Sequence, residues 1–309
     1  MIYCVVCNPV LNVKYQLNEL KPGSNHRVIS SEYNPSGKGI NIAKVVQELG
    51  EAVTVIGLMP ENDMVRFKNY FDNLGINSYL YTIEGNVCVN TTINENTTGN
   101  VTHISDTGYA LSPRIQDEFQ AFLEKQVRPN DIWALSGTLP RGFDANTYMK
   151  IIEICKKKDC RAMLDSMGLA FSMGVRAKPT MIKPNLEELE AFFGEPIEGV
   201  HHIALKGKRL LDMGIEYVFI SLGADGMIAI HENDCLLCSV PSVAVVDTVG
   251  SGDALVAGFL VAGTRNFSFI ESCRMGVACG VSNALHAGPG IVENEQIWSI
   301  MEEVSIEAV

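Results

Sequence analysis

The stretch Asp247-Thr248-Val249-Gly250-Ser251-Gly252-Asp253-Ala254-Leu255-Val256-Ala257-Gly258-Phe259 limits what this chain can fold into more than any other. Val243 to Val246, just before it, is a β-branched run that reads as the end of a strand. Two glycines then turn the chain. Ala254 to Ala262 follows as a segment apolar nearly all round, the pattern of a buried helix. A Gly-Ser-Gly turn that opens a helix presents free backbone N–H groups beside the positive end of the helix dipole, which makes an anion site. Glycine also lets the backbone approach a phosphate closely. Asp253 is discordant there, because a carboxylate repels an anion. It fits if it takes a proton from an attacking hydroxyl, since phosphoryl transfer to an alcohol needs donors for the phosphoryl oxygens and a base for the nucleophile. The residues alone leave a second reading open, in which Asp253 caps a core helix.

The totals set the frame. A chain of 309 residues suits one large α/β domain or two small ones, and 47% hydrophobic content supports an extensive core. The net charge of −12 argues against a nucleic-acid partner and against an anionic membrane surface. No uninterrupted apolar run reaches the ~18 residues of a transmembrane helix. Met1 to Val6 carries no basic n-region and is followed at once by polar and proline residues, so no signal peptide is expected. Nine cysteines, an odd number, point to reduced thiols and a cytoplasmic location.

Strand patterns alternate with helix patterns along most of the chain, which predicts a central, mostly parallel sheet wrapped by helices on both faces. Two pairs of segments are too polar for central strands: Lys14–Leu17 with Arg27–Ser31, and Asn86–Asn94 with Asn100–Ile104. Each pair reads as a hairpin exposed away from the main sheet. Ser36-Gly37-Lys38-Gly39-Ile40-Asn41 leads into a helix but lacks the spacing of a Walker loop. Asn185 and Glu188 stand three apart at a helix start. They can share a face and order waters around Mg²⁺, or form a capping box, and spacing leaves both readings open. Ser221 to Gly226 reads as a hairpin turn. Cys4-x-x-Cys7 and Cys235-x-x-Cys238 imitate zinc knuckles, yet both lie in strand patterns, where residues three apart face opposite sides.

The unbroken run from Asp247 to Phe259 resembles the PfkB signature of the ribokinase-like carbohydrate kinases, D-T-x-G-[AS]-G-D followed by a small residue, Gly and Phe. The resemblance extends over essentially the whole chain. It implies a ribokinase-like α/β fold in one domain, 1–309, with a small β lid formed by about 12–34 and 86–105. It casts Asp253 as catalytic base and Gly250, Ser251 and Gly252 as the anion hole. The Gly37-Lys38-Gly39 turn with Asn41 resembles the family's sugar-binding signature, and Ser136 opens a turn similar to its S-G-S-L-P. Lys183, Asn185, Ser221, Gly223, Gly226, Thr248 and Asn283 are implied as ATP contacts, and Asn185 with Glu188 as the Mg²⁺ site, through water. The implied cofactors are ATP and Mg²⁺, with a monovalent cation left open. The implied partners are a sugar or sugar phosphate and, through the lid, a second copy of the chain.

Within the family, Gly37-Lys38-Gly39 and Ile182 to Leu189 look like the 1-phosphofructokinase and tagatose-6-phosphate kinase branch, which phosphorylates a ketohexose phosphate. Fructose 1-phosphate is the expected substrate. Tagatose 6-phosphate, an unphosphorylated sugar or nucleoside, and an inactive sugar-binding regulator are the alternatives. Two positions depart from the branch. Asn12 stands where it has Asp, and Cys88 stands where it has the arginine that meets the substrate phosphate. A thiol does not replace a bidentate guanidinium. Arg27 and Lys38 remain as phosphate contacts, and an arginine at position 88 is expected to improve the use of a sugar phosphate.

Overall fold

In the computed structural model, which describes all 309 residues, the first strand sits third from one edge of a sheet of ten. These are β1 (Ile2–Val6), β4 (Val53–Pro60), β5 (Asn77–Ile83), β8 (Ile132–Ser136), β9 (Arg161–Asp165), β10 (Met181–Ile182), β11 (Tyr217–Ser221), β12 (Met227–His231), β13 (Asp234–Ser239) and β14 (Ser305–Ala308). Their order is β14-β13-β12-β11-β10-β9-β8-β1-β4-β5. Strand alternation divides the core. Ile2, Cys4 and Val6 face one apolar layer, and Tyr3 and Val5 face the other. The first layer is closed by α1 (Lys38–Glu48), α2 (Met64–Asn73), α8 (Ser251–Arg265), α9 (Phe269–Ala284) and α10 (Asn294–Glu303). The second is closed by α3 (Pro113–Glu124), α4 (Thr147–Lys157), α5 (Gly168–Arg176), α6 (Leu186–Phe193) and α7 (Val200–Asp212).

The two polar hairpins join into a second sheet. Strands β2 (Val10–Leu17), β3 (Ser30–Ser36), β6 (Cys88–Glu95) and β7 (Val101–Ile104) pair in the order β3-β2-β6-β7, with β2 and β6 parallel. Asn34, Asn12 and Asn90 stand in register across three of these strands.

The sheet is mostly parallel, as expected: it is parallel from β5 to β11, and β11 to β14 run antiparallel, with a single turn linking β11 to β12. The structure corrects two other expectations. Val243 to Val246 is not a strand. Val245 and Val246 are 57% and 62% exposed, and the Val246 and Asp247 N–H groups both reach the Ala284 carbonyl at the end of α9. The run follows a helix end, so β-branching found no sheet edge to join. Arg27 lies in the loop before β3 and not in a strand. The cysteine pairs split as strand geometry requires. Cys4 and Cys238 belong to one layer, and Cys7 and Cys235 to the other.

Candidate active site

Strands β1, β8, β9 and β10 are neighbours, and their carboxyl ends open into one cleft. Strand order reverses here, since β4 and β5 lie to one side of β1 and β8 to β11 to the other, the usual crevice of open α/β sheets. Asn8, Ser136, Gly137, Thr138 and Ser166 line a cavity of about 180 Å³ there, together with Gly37, Lys38 and Gly39 at the start of α1. A larger open hollow of about 660 Å³ lies at the opposite end of β11, around Asp212, Glu216 and His231, and shares no residue with this one. The charged groups converge on the smaller cavity.

Gly250 caps α8 in the left-handed region, at φ 87°. A Cβ there would also stand 2.6 Å from Pro289 Cβ, so both the conformation and the close approach require glycine. Ser251 N–H turns back onto the Thr248 carbonyl, which takes Ser251 out of the expected anion hole and leaves the Gly250 and Gly252 N–H groups, and Asp253 follows inside the first helical turn. Asp253 is only 5% exposed. Its Oδ2 accepts from Asn41 Nδ2 at 2.8 Å, which ties the base to the Gly37–Asn41 turn. Burial pushes the Asp253 carboxyl up to about 6. Lys38 opposes the rise, Asp165 adds to it, and the Asn41 bond and Lys183 pull it down. A base poised near neutrality suits proton removal from a hydroxyl.

Asp165, at the end of β9, was not singled out in the sequence. It is fully buried between two lysines, with Lys38 Nζ 2.9 Å from Oδ2 and Lys183 Nζ 3.0 Å from Oδ1. Burial would raise this carboxyl, but Lys183 and Lys38 outweigh it and hold the group below the usual aspartate range. Burial likewise works against the Lys38 charge, yet Asp165, with Asp253 and Glu188 beyond it, holds the ammonium above the ordinary lysine range. The sequence signal for Asp165 was its place as a carboxylate closing a central strand.

Asn185 and Glu188 form the capping box: Asn185 Oδ1 accepts from Glu188 N–H at 2.7 Å, and Glu188 Oε2 accepts from Asn185 N–H at 3.0 Å. Glu188 also lines the cavity. The two readings of this pair are therefore compatible for Glu188, whereas the Asn185 side-chain oxygen is committed to the cap. Ser221 pairs with Asn185 through an isolated bridge, and Gly223 and Gly226 frame the turn into β12. A Cβ on Gly252 would lie 3.7 Å from Lys183 Nζ, which places that lysine beneath the anion turn. Asn283 braces the same turn, donating to the Val249 carbonyl at 2.9 Å and accepting from Gly290 N–H at 2.8 Å. Thr248 accepts from Ser251 N–H through its carbonyl. The Ser136 hydroxyl is buried without a partner at the cavity wall.

Not every expected residue converges. Asn12 shares a strand face with Val10, which lines the cavity, but lies one pleat further out. Arg27 is exposed and outside the lining. Cys88 is 4% exposed, and its thiol contacts Asn8 Oδ1 at 3.2 Å. A Cβ on Gly108 would stand 3.1 Å from Cys88 Sγ, so residue 108 fills the space that a longer side chain at 88 would need. The expectation that an arginine at 88 completes the site is corrected on this ground.

A doubly covered sheet, a helix-start anion turn and a buried carboxylate facing a glycine-rich turn define a carbohydrate-kinase class of protein. Residues 5–296 match the family model described as pfkB family carbohydrate kinase, and the chain belongs to that family. It is 30% identical to 1-phosphofructokinase of Vibrio cholerae over 308 residues, covering 100% of this chain and 97% of that protein. It is also 30% identical to 1-phosphofructokinase of Bacillus subtilis, covering 99% of each. Among solved structures, it superposes on phosphofructokinase-2 from Escherichia coli in complex with potassium with a TM-score of 0.91 at 22% identity, over 98% of each chain. The family and the site make the chain a phosphotransferase with an alcohol group as acceptor. No helix is long and apolar enough to cross a membrane.

Proposed function

We propose that this enzyme transfers the γ-phosphoryl group of ATP to a hydroxyl of a phosphorylated ketohexose, and that the substrate is fructose 1-phosphate. The 2.8 Å bond from Asn41 to Asp253 carries the reading, because it sets the base against the sugar-side turn at the mouth of the anion hole. Full-length similarity to proteins named 1-phosphofructokinase supports the choice of sugar. In this reading Asp253 takes the hydroxyl proton. The N–H groups of Gly250 and Gly252 face the charge of the transferring group, while Ser251 N–H is held by the Thr248 carbonyl, and Lys183 meets a nucleotide phosphate. Ser136 offers its unpartnered hydroxyl to the sugar.

The donor set fits Mg²⁺ through water, with Glu188 as the available carboxylate and Asn185 as its cap. Bound there with ATP, the ion would neutralise phosphate charge. The β3-β2-β6-β7 sheet serves as the lid, and its exposed apolar side chains, Ile29, Tyr33, Val101 and Ile104 among them, suit pairing with a second copy. Nine unpaired cysteines fit a reducing cytoplasm.

The test is turnover with MgATP on fructose 1-phosphate, tagatose 6-phosphate, fructose 6-phosphate, free fructose, ribose and nucleosides, with and without potassium. Fructose 1-phosphate should give the highest kcat/KM. The neutral thiol at Cys88 favours the second reading, a kinase of an unphosphorylated acceptor, and a higher kcat/KM for a neutral sugar or nucleoside would establish it.

A further inference from the structure

Taken as a sugar-phosphate kinase, the site has no free cation in its lining for the substrate phosphate. Lys38 is the one basic side chain that lines the cavity, and it is paired with Asp165. Lys183 is paired with the same carboxylate. Arg27 is exposed in the loop before β3 and does not line the cavity. Cys88 carries no charge, because burial and Asp106 push its thiol up against the opposing field of Arg141.

That last charge is close at hand. Residues 105–111 form a strap beside β6. Asp106 Oδ2 accepts from Val89 N–H at 3.3 Å, and Asp106 N–H donates to Asn90 Oδ1 at 3.3 Å. At the other end Leu111 N–H donates to the Arg141 carbonyl at 2.8 Å. Between these anchors the Gly108 backbone covers Cys88. Cys88 touches Asn8, and Asn8 Nδ2 donates to Thr138 Oγ1 at 3.3 Å. Asn8 and Thr138 both line the cavity. Arg141 follows Thr138 by three residues, and its Nη2 donates to the Gly108 carbonyl at 2.7 Å. The guanidinium is therefore fixed at the cavity rim, on the strap that covers the position where the branch keeps its arginine. It is exposed and forms no ion pair with any carboxylate. One donor holds the strap, and four N–H groups of the fork remain.

We propose that Arg141 is the residue that binds the substrate phosphate, supplied from the turn after β8 in place of a side chain at position 88. The proposal rests on the sugar-phosphate reading above. A planar guanidinium matches two phosphate oxygens, and a rim position suits the end of the sugar farthest from Asp253. Asp106 does not cancel this charge, because its carboxylate is taken up by the Val89 and Gly108 N–H groups.

Arg141→Gln tests it, since glutamine can still donate to the Gly108 carbonyl and keep the strap in place. KM for fructose 1-phosphate should rise by about ten- to a hundredfold, the worth of a charge-assisted contact. KM for ATP and turnover of free fructose at high concentration should not change, and Arg141→Lys should recover part of the loss. An unchanged KM for fructose 1-phosphate in Arg141→Gln overturns the proposal and leaves the kinase reading intact. An equal rise for phosphorylated and free sugars overturns it in favour of a purely structural strap. A wild-type enzyme that prefers free sugars to every sugar phosphate defeats the sugar-phosphate reading, and Arg141 with it.

Discussion

Asn41 and Asp253 are joined side chain to side chain at 2.8 Å although 212 positions separate them in the chain. One belongs to the turn implied to hold the sugar, the other to the helix start implied to hold the transferring phosphoryl group. The bond gives Asp253 a fixed direction. It also stabilises the carboxylate against the burial that pushes it up to about 6.

The pH dependence follows from that balance. The base works deprotonated, so kcat/KM should rise with pH through about 6 and then level off. The stability effect has the opposite sense. A carboxyl raised by folding contributes stability that is fully present below the unfolded value, near pH 4, and lost as pH rises through about 6. Asp253→Asn should lower kcat by about 10²–10⁴ with ATP binding intact. The same variant should melt higher than wild type at pH 8, by an amount on the order of 1–3 kcal/mol, and show no such gain at pH 4.5. Turnover like that of wild type would end the assignment of Asp253 as base.

Asp165 should behave in the reverse way. Its two lysines hold it low, so its contribution is present above the ordinary aspartate range and disappears as pH falls below about 4. Asp165→Asn leaves Lys38 and Lys183 facing each other across a neutral group in a buried place. A loss of roughly 3–5 kcal/mol is expected, as when one partner of a buried ion pair is removed. Denaturant unfolding at pH 7 measures it, and a loss below about 1 kcal/mol would show that the lysines find other partners.

How much of this was legible beforehand depended on the range of the interaction. The anion turn, the glycine turn and the capping pair are local, so Gly250 to Asp253, Gly37 to Asn41 and Asn185 with Glu188 could be read as residue patterns. Pleat alternation alone separated Cys4 from Cys7. Asp165 was unremarkable in sequence because its role comes from lysines 127 and 18 positions away (Lys38 and Lys183), which only the fold brings to it. Val243 to Val246 misled because β-propensity states what suits a sheet, and the end of α9 took up its N–H groups instead. The antiparallel end of the sheet was legible in part. Ser221 to Gly226 reads as a hairpin turn, which pairs β11 with β12, but the order in which β13 and β14 attach is a tertiary outcome.

Glu188→Gln separates the two tasks of that side chain. Glutamine still accepts from Asn185 N–H, so the cap survives and the melting temperature should shift little. The lost charge should raise the Mg²⁺ concentration needed for half-maximal turnover and lower kcat. An unchanged Mg²⁺ titration would show that Glu188 only caps α6.

The lid sheet bears on assembly. Ile29, Val101 and Ile104 are 57%, 54% and 56% exposed on it, more apolar surface than a small polar sheet needs. Sedimentation at micromolar concentration should show a dimer, and Ile104→Lys should shift it toward monomer. A species that stays monomeric with and without substrate would remove the pairing role.

Cys88→Arg tests how the phosphate end is built. Family resemblance alone expects a gain, because the substitution restores a missing cation. The structure reverses the sign. Cys88 is 4% exposed, its thiol contacts Asn8 at 3.2 Å, and residue 108 has no room for even a Cβ closer than 3.1 Å to the sulfur. The roughly five added heavy atoms cannot fit without lifting the strap. Lifting it moves Gly108, whose carbonyl fixes Arg141 at 2.7 Å. Cys88→Arg should therefore lose about 1–3 kcal/mol of stability to overpacking and raise KM for fructose 1-phosphate. Cys88→Ser, which keeps the size and a donor to Asn8, should change both little. If Cys88→Arg instead folds as stably as wild type and lowers that KM, the strap is displaced at no cost and the arginine at 88 is interchangeable with Arg141.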